Sequence, residues 1–585
     1  MDKSTFTYKI NSINPKNSTP IVPGKINVFV GANNCGKTQV LKDILSFIMG
    51  SHTENVIIND LDVPYPENWE IMSKSYNMKI VETNNSKHLQ HISPAFDRVI
   101  YGPSNPNITE VLSSWLNSNK RAFREATGAG LVSFLNTDNR LKLANSQQTE
   151  ENLDTRGARN VLEALYLSGS DAFQTVRLYI KKIFGIDIFL NIYNLGTIEF
   201  KIGNDFSTIT LVPQEANKQL SKYPQLDVQG DGIRSVLGIL CAIISVKRPI
   251  ILLDEPEAFL HPPQALQLGE IISNIIDDNQ QIFIATHSAD FLRGLLSSTK
   301  NSVIIHLNRN DDNTSINVLD SETLNHIITD PLLSSSRVLE GMFYKGVVAT
   351  EGDADTAFYH RLFQKIGASD EIHFVNAHNK QTLKKLIMPY QKLGIKFAMI
   401  ADADVIRELQ EFKDIIEISS DNDLKDKILE KRKVIYEYFQ SKDKKEILQD
   451  LLDKIKELYD NTVFSENDSP DTIESIIFDI RKSLKKLRNE SDELNELKEK
   501  GIDSIPDELQ AEFDSLVNNC NSIGLFIVPV GELESWLIDY GVERTSNKSK
   551  WITQALDKLY DIELDEDKKI WGFVNNLKTY LVNDI

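Results

Sequence analysis

Two stretches of this chain carry side chains of the type and spacing needed to hold phosphate or a divalent cation. The first is Gly31-Ala-Asn-Asn-Cys-Gly-Lys-Thr38. Glycine, four residues, then Gly-Lys-Thr suits a loop whose backbone N–H groups wrap phosphate oxygens. Gly31 and Gly36 let the backbone close, with Asn33 and Asn34 inside the wrap. Lys37 reaches the terminal phosphates of a nucleotide, and the Thr38 hydroxyl takes a place on Mg²⁺.

The second stretch is split. Glu351-Gly-Asp-Ala-Asp355 and Asp402-Ala-Asp404 each follow an apolar run of strand length. Four acids brought together, Glu351, Asp355, Asp402 and Asp404, repel one another unless cations sit among them. Mg²⁺ or Mn²⁺ bound by such oxygens suits two-metal cleavage of a phosphodiester, one ion activating water and the other steadying the leaving oxygen. Strand alternation is expected to point Asp402 and Asp404 the same way, with Asp353 at a variable position. The bland alternative, a solvated acidic face, does not explain why both acidic groups cap buried strands.

These residues need elements to aim them. Lys25 to Val30 reads as a buried strand and Gln39 to Phe47 as a helix, the setting the phosphate loop requires. Pro249 to Leu253 is a second apolar strand and ends in Asp254-Glu255. Asp254 would hold Mg²⁺ through water and Glu255 would polarise the attacking water. Gln281 to Thr286 is a third, ending at His287. Polar groups at the C-terminal ends of three strands fit the crevice rule of open α/β sheets. Upstream, Gly230 and Gly232 open an apolar helix, Val236 to Val246, whose N-terminus can take phosphate from a partner subunit. Between lie helical patterns at Asn160–Leu167 and Asp171–Phe184 and strand patterns at Ile186–Ile202 and Ser207–Val212. Asn136 to Leu141 reads as a surface turn rather than a place for Arg140 to meet phosphate.

In the second half, Lys345–Thr350, His373–Asn376, Ile395–Ala401 and Ile523–Val530 read as strands, with helices at Thr356–Ile366 and Gln381–Leu393. The loop-like stretch Asp330–Ser336 is taken as the boundary, giving domains 1–335 and 336–585.

The first set of motifs resembles the ABC/SMC-type P-loop ATPases. The resemblance makes Asp254 and Glu255 the Walker B pair, His287 the switch histidine that senses the terminal phosphate, and Phe259–Pro262 the dimer-contacting D-loop. It makes Gly230 and Gly232 part of the signature, although Gly230 stands where a serine is usual. The second half resembles the Toprim fold, an α/β Rossmann-like domain with E-G-x-x-D and D-x-D motifs. Glu351, Asp355, Asp402 and Asp404 are then the metal set. Gly531-Glu-Leu-Glu534 matches a later element and adds Glu532 and Glu534. A lysine near the metals is expected after it, with Lys548 and Lys550 as candidates. Lys380 sits where many relatives carry a glycine–lysine element.

An ABC-type ATPase followed by Toprim is similar to the OLD (overcoming lysogenisation defect) nuclease family. The resemblance implies ATP and Mg²⁺ or Mn²⁺ as cofactors, DNA as substrate, and a homodimer or larger homo-oligomer through the ATPase halves. It also implies a setting in anti-phage defence, with a partner protein or a retron reverse transcriptase and its msDNA, as in Gabija, PARIS and retron-associated systems.

Two insertions interrupt this plan, a helical or dimerisation segment near 105–200 and a helical one near 410–518. In the latter, Ile447, Leu448, Leu451, Leu452, Ile455, Leu458 and Tyr459 form one apolar stripe. Ile473, Ile477, Ile480, Leu484, Leu487, Leu494 and Leu497 form another. Self-packing and contact with a partner protein or DNA are both open to such a pair.

Composition narrows the classes. A chain of 585 residues exceeds one ordinary core. No apolar run is long enough to span a bilayer and no leader pattern is present, so a cytoplasmic protein without membrane contact is expected. Three scattered cysteines exclude a disulfide framework and a zinc site. A net charge of −20 argues against an all-over basic surface for DNA, while leaving room for a local basic face. Two readings stay open: an ATP-gated endonuclease, and a nucleotide-dependent sensor or assembly platform whose cleavage site waits for a partner. A RecF/SMC-like repair ATPase would leave the second acids idle, and a topoisomerase would need a marked tyrosine.

Overall fold

The computed structural model describes residues 6–51, 54–83, 86–149, 153, 157–194, 196–210, 212–297, 302–310, 313–319, 321–440, 444–463, 469–490, 495–545, 547–563, 565 and 568–582. It divides into two compact units, Met1–Phe343 with Lys392–Gly394, and Tyr344–Gln391 with Ile395–Ile585.

Ile26–Val30, Gln281–Ala285 and Ile250–Asp254 are nearly wholly buried and mostly apolar, the pattern of parallel strands covered on both faces. They form the centre of a six-stranded sheet. Its order is 313–318, 302–310, 26–30, 281–285, 250–254, 132–135, parallel except for the antiparallel edge strand Asn313–Val318. Phe29 and Phe283 stack across neighbouring strands, and Val40, Leu41 and Ile44 of the helix Lys37–Ile48 join the same core. Val132–Leu135, inside the span 105–200, is the outermost strand of this sheet. Three small antiparallel sheets accompany it, one from Ser12–Pro15 and Ile58–Asp62, one from Gln147–Gln148, Asp187–Asn191 and Thr197–Gly203, and one from Lys79–Thr83, Ser86–Ile92 and Val99–Tyr101.

Two expectations are corrected. Among the described residues, Ser207–Val212 holds no strand: the chain turns there and enters the helix Pro213–Leu220, with proline at its first position. Arg140 is not on a surface turn. It lies in the helix Thr137–Leu143, capped by Asn136, and is fully buried.

The second unit holds a four-stranded, all-parallel sheet in the order Ile372–Asn376, Gly346–Thr350, Lys396–Ala401, Leu525–Ile527. The last strand is only three residues long. The helix after the first acids begins at Asp353 rather than Thr356, placing Asp353 and Asp355 in its first turn, where an N-terminus favours negative charge. The third strand stops at Ala401, and Ala403–Ile406 is a 3₁₀ turn. Strand alternation therefore does not govern Asp402 and Asp404.

Between Asp404 and the last strand the chain is helical, with Leu409–Ile416, Asn422–Gln440, Lys444–Asn461, Pro470–Glu490, Asn495–Lys500 and Gln510–Ser522. Ile455, Leu458, Tyr459, Ile473, Ile477 and Ile480 line a groove of about 490 Å³. Leu494 lies outside the described residues, as do the side chains of Ile447 and Leu487. Among the described residues no helix is long and apolar enough to cross a membrane.

Candidate functional site

In the first unit the phosphate loop leaves the strand Ile26–Val30, and the backbone shows why glycine stands there. Gly31 and Gly36 have φ of +143° and +101°. A Cβ at Gly31 would lie 2.3 Å from the Leu307 carbonyl oxygen, and one at Gly36 would lie 2.6 Å from Ile57 Cδ1. Asn34 also takes a left-handed conformation. Lys37 is buried and folds back on its own loop, donating to the carbonyls of Gly31 (2.9 Å) and Ala32 (3.0 Å). Asp43 braces the helix behind the loop by accepting backbone N–H bonds from Val56, Ile57 and Ile58.

The neighbouring strands bring their ends to the same edge. Thr38 Oγ1 donates to Asp254, 3.0 Å from Oδ1 and 3.1 Å from Oδ2. Burial raises the Asp254 carboxyl above its ordinary value, with the Thr38 hydrogen bond opposing. Glu255 has φ +47°, strained for a residue with a Cβ. Its N–H donates to the Ala285 carbonyl at 2.8 Å. The His287 ring nitrogen Nδ1 stands 3.6 Å from Glu255 Oε1. The motifs thus place Thr38, Asp254, Glu255 and His287 together.

Sequence reasoning missed two groups here. Arg140 donates from Nε to Ser235 Oγ at 2.7 Å and from its two terminal nitrogens to the carbonyls of Asp254 and Glu255. It ties the helix Asp231–Cys241 to the acidic turn and clamps the strained Glu255 peptide. Burial lowers the guanidinium to about 10 against the pull of Glu257, Asp254 and Glu255. Glu257 is buried and accepts from the Thr286 hydroxyl (2.8 Å) and the His287 N–H (2.9 Å), setting the position of His287. A glutamate two residues past Glu255 was visible in the run; Arg140 was noticed in the sequence but read as part of a surface turn, and nothing there marked its bonds to distant carbonyls.

Gly230 caps the helix Asp231–Cys241 and Gly232 lies in its first turn. A Cβ at Gly232 would lie 2.8 Å from the Phe259 carbonyl, so glycine permits a close approach to the segment Phe259–Pro262. A Cβ at Gly230 meets nothing within 4 Å, so the serine usual there would fit.

In the second unit six carboxylates gather at the C-terminal edge of the parallel sheet. Glu351 follows Gly346–Thr350, Asp402 and Asp404 follow Lys396–Ala401, and Glu532 and Glu534 follow Leu525–Ile527. Asp355 looks in from its helix. Glu351 Oε1 accepts the Asp402 N–H at 3.2 Å, tying the first two strand ends together. The side chains of Asp355, Asp402, Glu532 and Glu534 are nearly or fully buried. Burial pushes Glu351 up to about 7, with Lys380 opposing and Asp404 and Asp355 adding. Asp402 is raised well above the carboxylate range by burial and by Glu351 and Asp355. Asp404 goes the other way: burial would raise it, but Lys380, with Lys498 and Arg407, holds it below.

Lysines and one arginine sit among these acids. Lys380 pairs with Asp404 and stands 3.9 Å from Glu351. Lys548 stands 3.8 Å from Glu534, and Asp355, Glu534 and Asp402 raise its ammonium against the effect of burial. Lys550 is exposed on the same helix, and among the described contacts none brings it to the acids. Lys498 and Arg544, both missed in the sequence, contact Glu532. Lys498 comes from the end of the helical insertion, a place no strand-and-acid pattern marks. Below the cluster Tyr359 is fully buried and accepts from Trp536 Nε1 at 2.8 Å.

A cation fits this donor set: oxygen ligands, mutual repulsion, and buried oxygens of Asp355 (Oδ2) and Glu534 (Oε2) without a hydrogen-bond partner. As the side chains stand, no group of three or more His, Cys, Asp or Glu among the described residues is arranged to hold an ion. The ammonium groups occupy the space between them.

Comparison with known proteins agrees with the two-part layout. Residues 83–293 match the family described as AAA domain, putative AbiEii toxin, Type IV TA system. That span includes Arg140, Asp254, Glu255 and His287, while the phosphate loop lies before it. Residues 342–404 match the TOPRIM domain of the overcoming lysogenization defect protein-like family. The Old nuclease of Escherichia phage P2 is 27% identical over 185 residues, 30% of this chain and 31% of that protein, so the match spans about a third of the relative's length. Among solved structures, an SMC head bound to the C-terminal winged-helix domain of ScpA is similar at a TM-score of 0.32 and 14% identity, over 54% of this chain and 99% of that one. The SMC head domain from Thermotoga maritima is similar at 0.29 and 11%, over 53% and 99%.

Proposed function

We propose that this chain, which joins an AAA-type ATPase domain to a Toprim domain of the overcoming-lysogenisation-defect type, is an ATP-controlled, divalent-metal-dependent DNA endonuclease. The observation that carries the reading is the crowding of Glu351, Asp355, Asp402, Asp404, Glu532 and Glu534 at one sheet edge. Burying so many like charges is costly unless cations compensate them. Mg²⁺ or Mn²⁺ bound there would supply an activated water and neutralise charge on the phosphate. Glu351, Asp402 and Asp404 would hold the ions, with Asp355, Glu532 and Glu534 completing the ligand set. Lys548 is the lysine suited to meet a phosphate oxygen, since it already stands at the rim beside Glu534 and Asp355.

In the ATPase domain, Gly31 to Thr38 would cradle the phosphates of ATP, with Lys37 swinging from its loop carbonyls to the terminal phosphates. Thr38 and Asp254 would hold Mg²⁺ directly and through water. Glu255 would orient the attacking water, and His287, set by Glu257, would sense the terminal phosphate. Gly230 and Gly232 would meet the phosphate of a second copy, giving an isologous homodimer. We infer a role in defence against phage, with DNA as the target and a partner protein or nucleic acid as the trigger. One observation favours a site that waits for such a trigger: ammonium groups already occupy the carboxylate cluster.

The test is direct. Plasmid DNA is incubated with the purified protein in Mg²⁺ or Mn²⁺, with and without ATP and with any cognate partner. Metal-dependent cleavage that changes with ATP is expected. No cleavage under any of these conditions contradicts the reading.

A further inference from the structure

The limb that returns from the helical insertion reaches into the carboxylate cluster. The helix Asn495–Lys500 carries Lys498, whose Nζ stands 3.7 Å from Asp404 Oδ2 and 3.6 Å from Glu532 Oε2. It joins two acids that follow different strands. Backbone contacts fix the limb in place. The Ile502 N–H donates to the Pro529 carbonyl at 2.8 Å, and Ser535 Oγ donates to the Glu499 carbonyl at 3.1 Å. Gly501 (φ +58°) and Gly531 (φ +99°) allow an approach no other residue permits. A Cβ at Gly501 would lie 2.1 Å from the Pro529 carbonyl oxygen, and one at Gly531 would lie 2.2 Å from that of Lys498. Arg544 bridges Glu499 on the limb (2.8 Å) and Glu532 in the cluster. The loop that sets Glu532 therefore also sets Lys498.

An ammonium held between two carboxylates takes the place, and part of the charge compensation, that a divalent ion would take. The ion gains both oxygens only by displacing it. We propose that Lys498 is a positioning residue that stands in for a cation between Asp404 and Glu532, so that the helical insertion sets how readily the cleavage site loads its divalent metal. The inference rests on the metal-dependent reading of the Toprim acids. Lys380 holds Asp404 from its other neighbour, the helix Lys380–Lys392 of the sheet itself. The insertion's contribution is thus separable by mutation.

Mn²⁺ binding to the full-length protein, without nucleotide or DNA, is measured by electron paramagnetic resonance for wild type, Lys498→Ala, Lys498→Arg and Asp402→Ala. Lys498→Ala is expected to bind Mn²⁺ about tenfold more tightly, a modest fraction of the Coulomb energy of one ammonium near two carboxylates. The Mn²⁺ concentration for half-maximal cleavage should fall in parallel. Lys498→Arg, which keeps the charge, should stay near wild type. Lys498→Gln, measured beside them, carries the same expectation as alanine while keeping most of the length of the side chain. If Asp402→Ala loses bound Mn²⁺ but Lys498→Ala and Lys498→Gln bind it no more tightly than wild type, the role given to Lys498 is wrong and the metal reading stands. If wild type binds no more Mn²⁺ than Asp402→Ala, both fall.

Discussion

The two polar sites of this chain solve opposite electrostatic problems with the same kind of parallel sheet edge. On the proposed reading the first receives an anion. It offers a glycine loop closed by positive φ, one buried lysine, and acids that are already bonded: Asp254 to Thr38, Glu257 to Thr286 and His287. On the same reading the second receives cations. Its acids are left crowded, with Glu351 and Asp402 pushed upward by burial and by one another. Their compensation comes from the ammonium groups of Lys380, Lys498 and Lys548. A site for an anion is built largely from backbone; a site for cations is built from side chains gathered over a long stretch of chain.

On the anion side of this contrast the largest effect expected is at Lys37. Replacing it by alanine removes the one ammonium in the phosphate loop and should weaken ATP binding at least about a hundredfold, as loss of a charge-assisted contact to phosphate does. Titration with a fluorescent ATP analogue reads it, and affinity within a few-fold of wild type would refute the cradle. Glu255→Gln should keep binding and slow hydrolysis.

That difference in construction also explains what the sequence disclosed. The phosphate loop, Asp254, Glu255 and His287 each end or directly follow one of three neighbouring strands of the sheet, so a buried strand pattern in the chain marks the place where each one stands. The acids Glu351, Asp355, Asp402 and Asp404 were legible for the same reason. Arg140 was not: its partners are the carbonyls of Asp254 and Glu255 and the hydroxyl of Ser235, and no local pattern announces a contact to backbone so far along the chain. Lys498 was hidden because the insertion interrupts the spacing by which site residues are counted. Asp402 and Asp404 were marked by the buried strand before them; only the alternation invoked for their common direction does not apply, since the strand ends at Ala401.

Arg140 gives the second test. Alanine there leaves two carbonyls and the Ser235 hydroxyl without their donor and uncovers a buried cavity. The fold should lose about 3 kcal/mol or more. Lysine should not rescue it, because one ammonium cannot reproduce the fork. Thermal melting and ATP turnover should fall together in both variants. A turnover loss without a stability loss would make Arg140 a phosphate ligand instead.

Acid pH should move the two units in opposite directions. In the first unit burial, aided by Arg248, lowers His91 to about 4, and burial lowers His306 to about 4. Their neutral forms stabilise the fold above the unfolded value near 6.5, and that contribution is lost as pH falls from there toward 4. In the second unit Glu351 is raised to about 7. Its contribution is full below the unfolded value near 4.5 and is lost as pH rises through 7. Each group changes local stability by up to about 1.4 kcal/mol per pH unit within its window. Hydrogen exchange in metal-free buffer between pH 7.5 and 5, corrected for the intrinsic rate, should show protection falling around Ile92 and Val132 and rising around Val348 and Met399. Parallel changes in both would contradict the assignment of charge to these sites.

The central claim is that the acids of the second unit cut DNA while the loop of the first handles ATP. Glu351→Ala and Asp402→Ala, assayed beside wild type and Lys37→Ala in the presence of any cognate partner, test it most directly. DNA cleavage in Mg²⁺ or Mn²⁺ should fall by about three orders of magnitude or more in both acid variants, because in-line attack needs each ion in place. Their ATP hydrolysis should stay near wild type. Cleavage at the wild-type rate by Glu351→Ala or Asp402→Ala, in preparations that still hydrolyse ATP, would contradict the account.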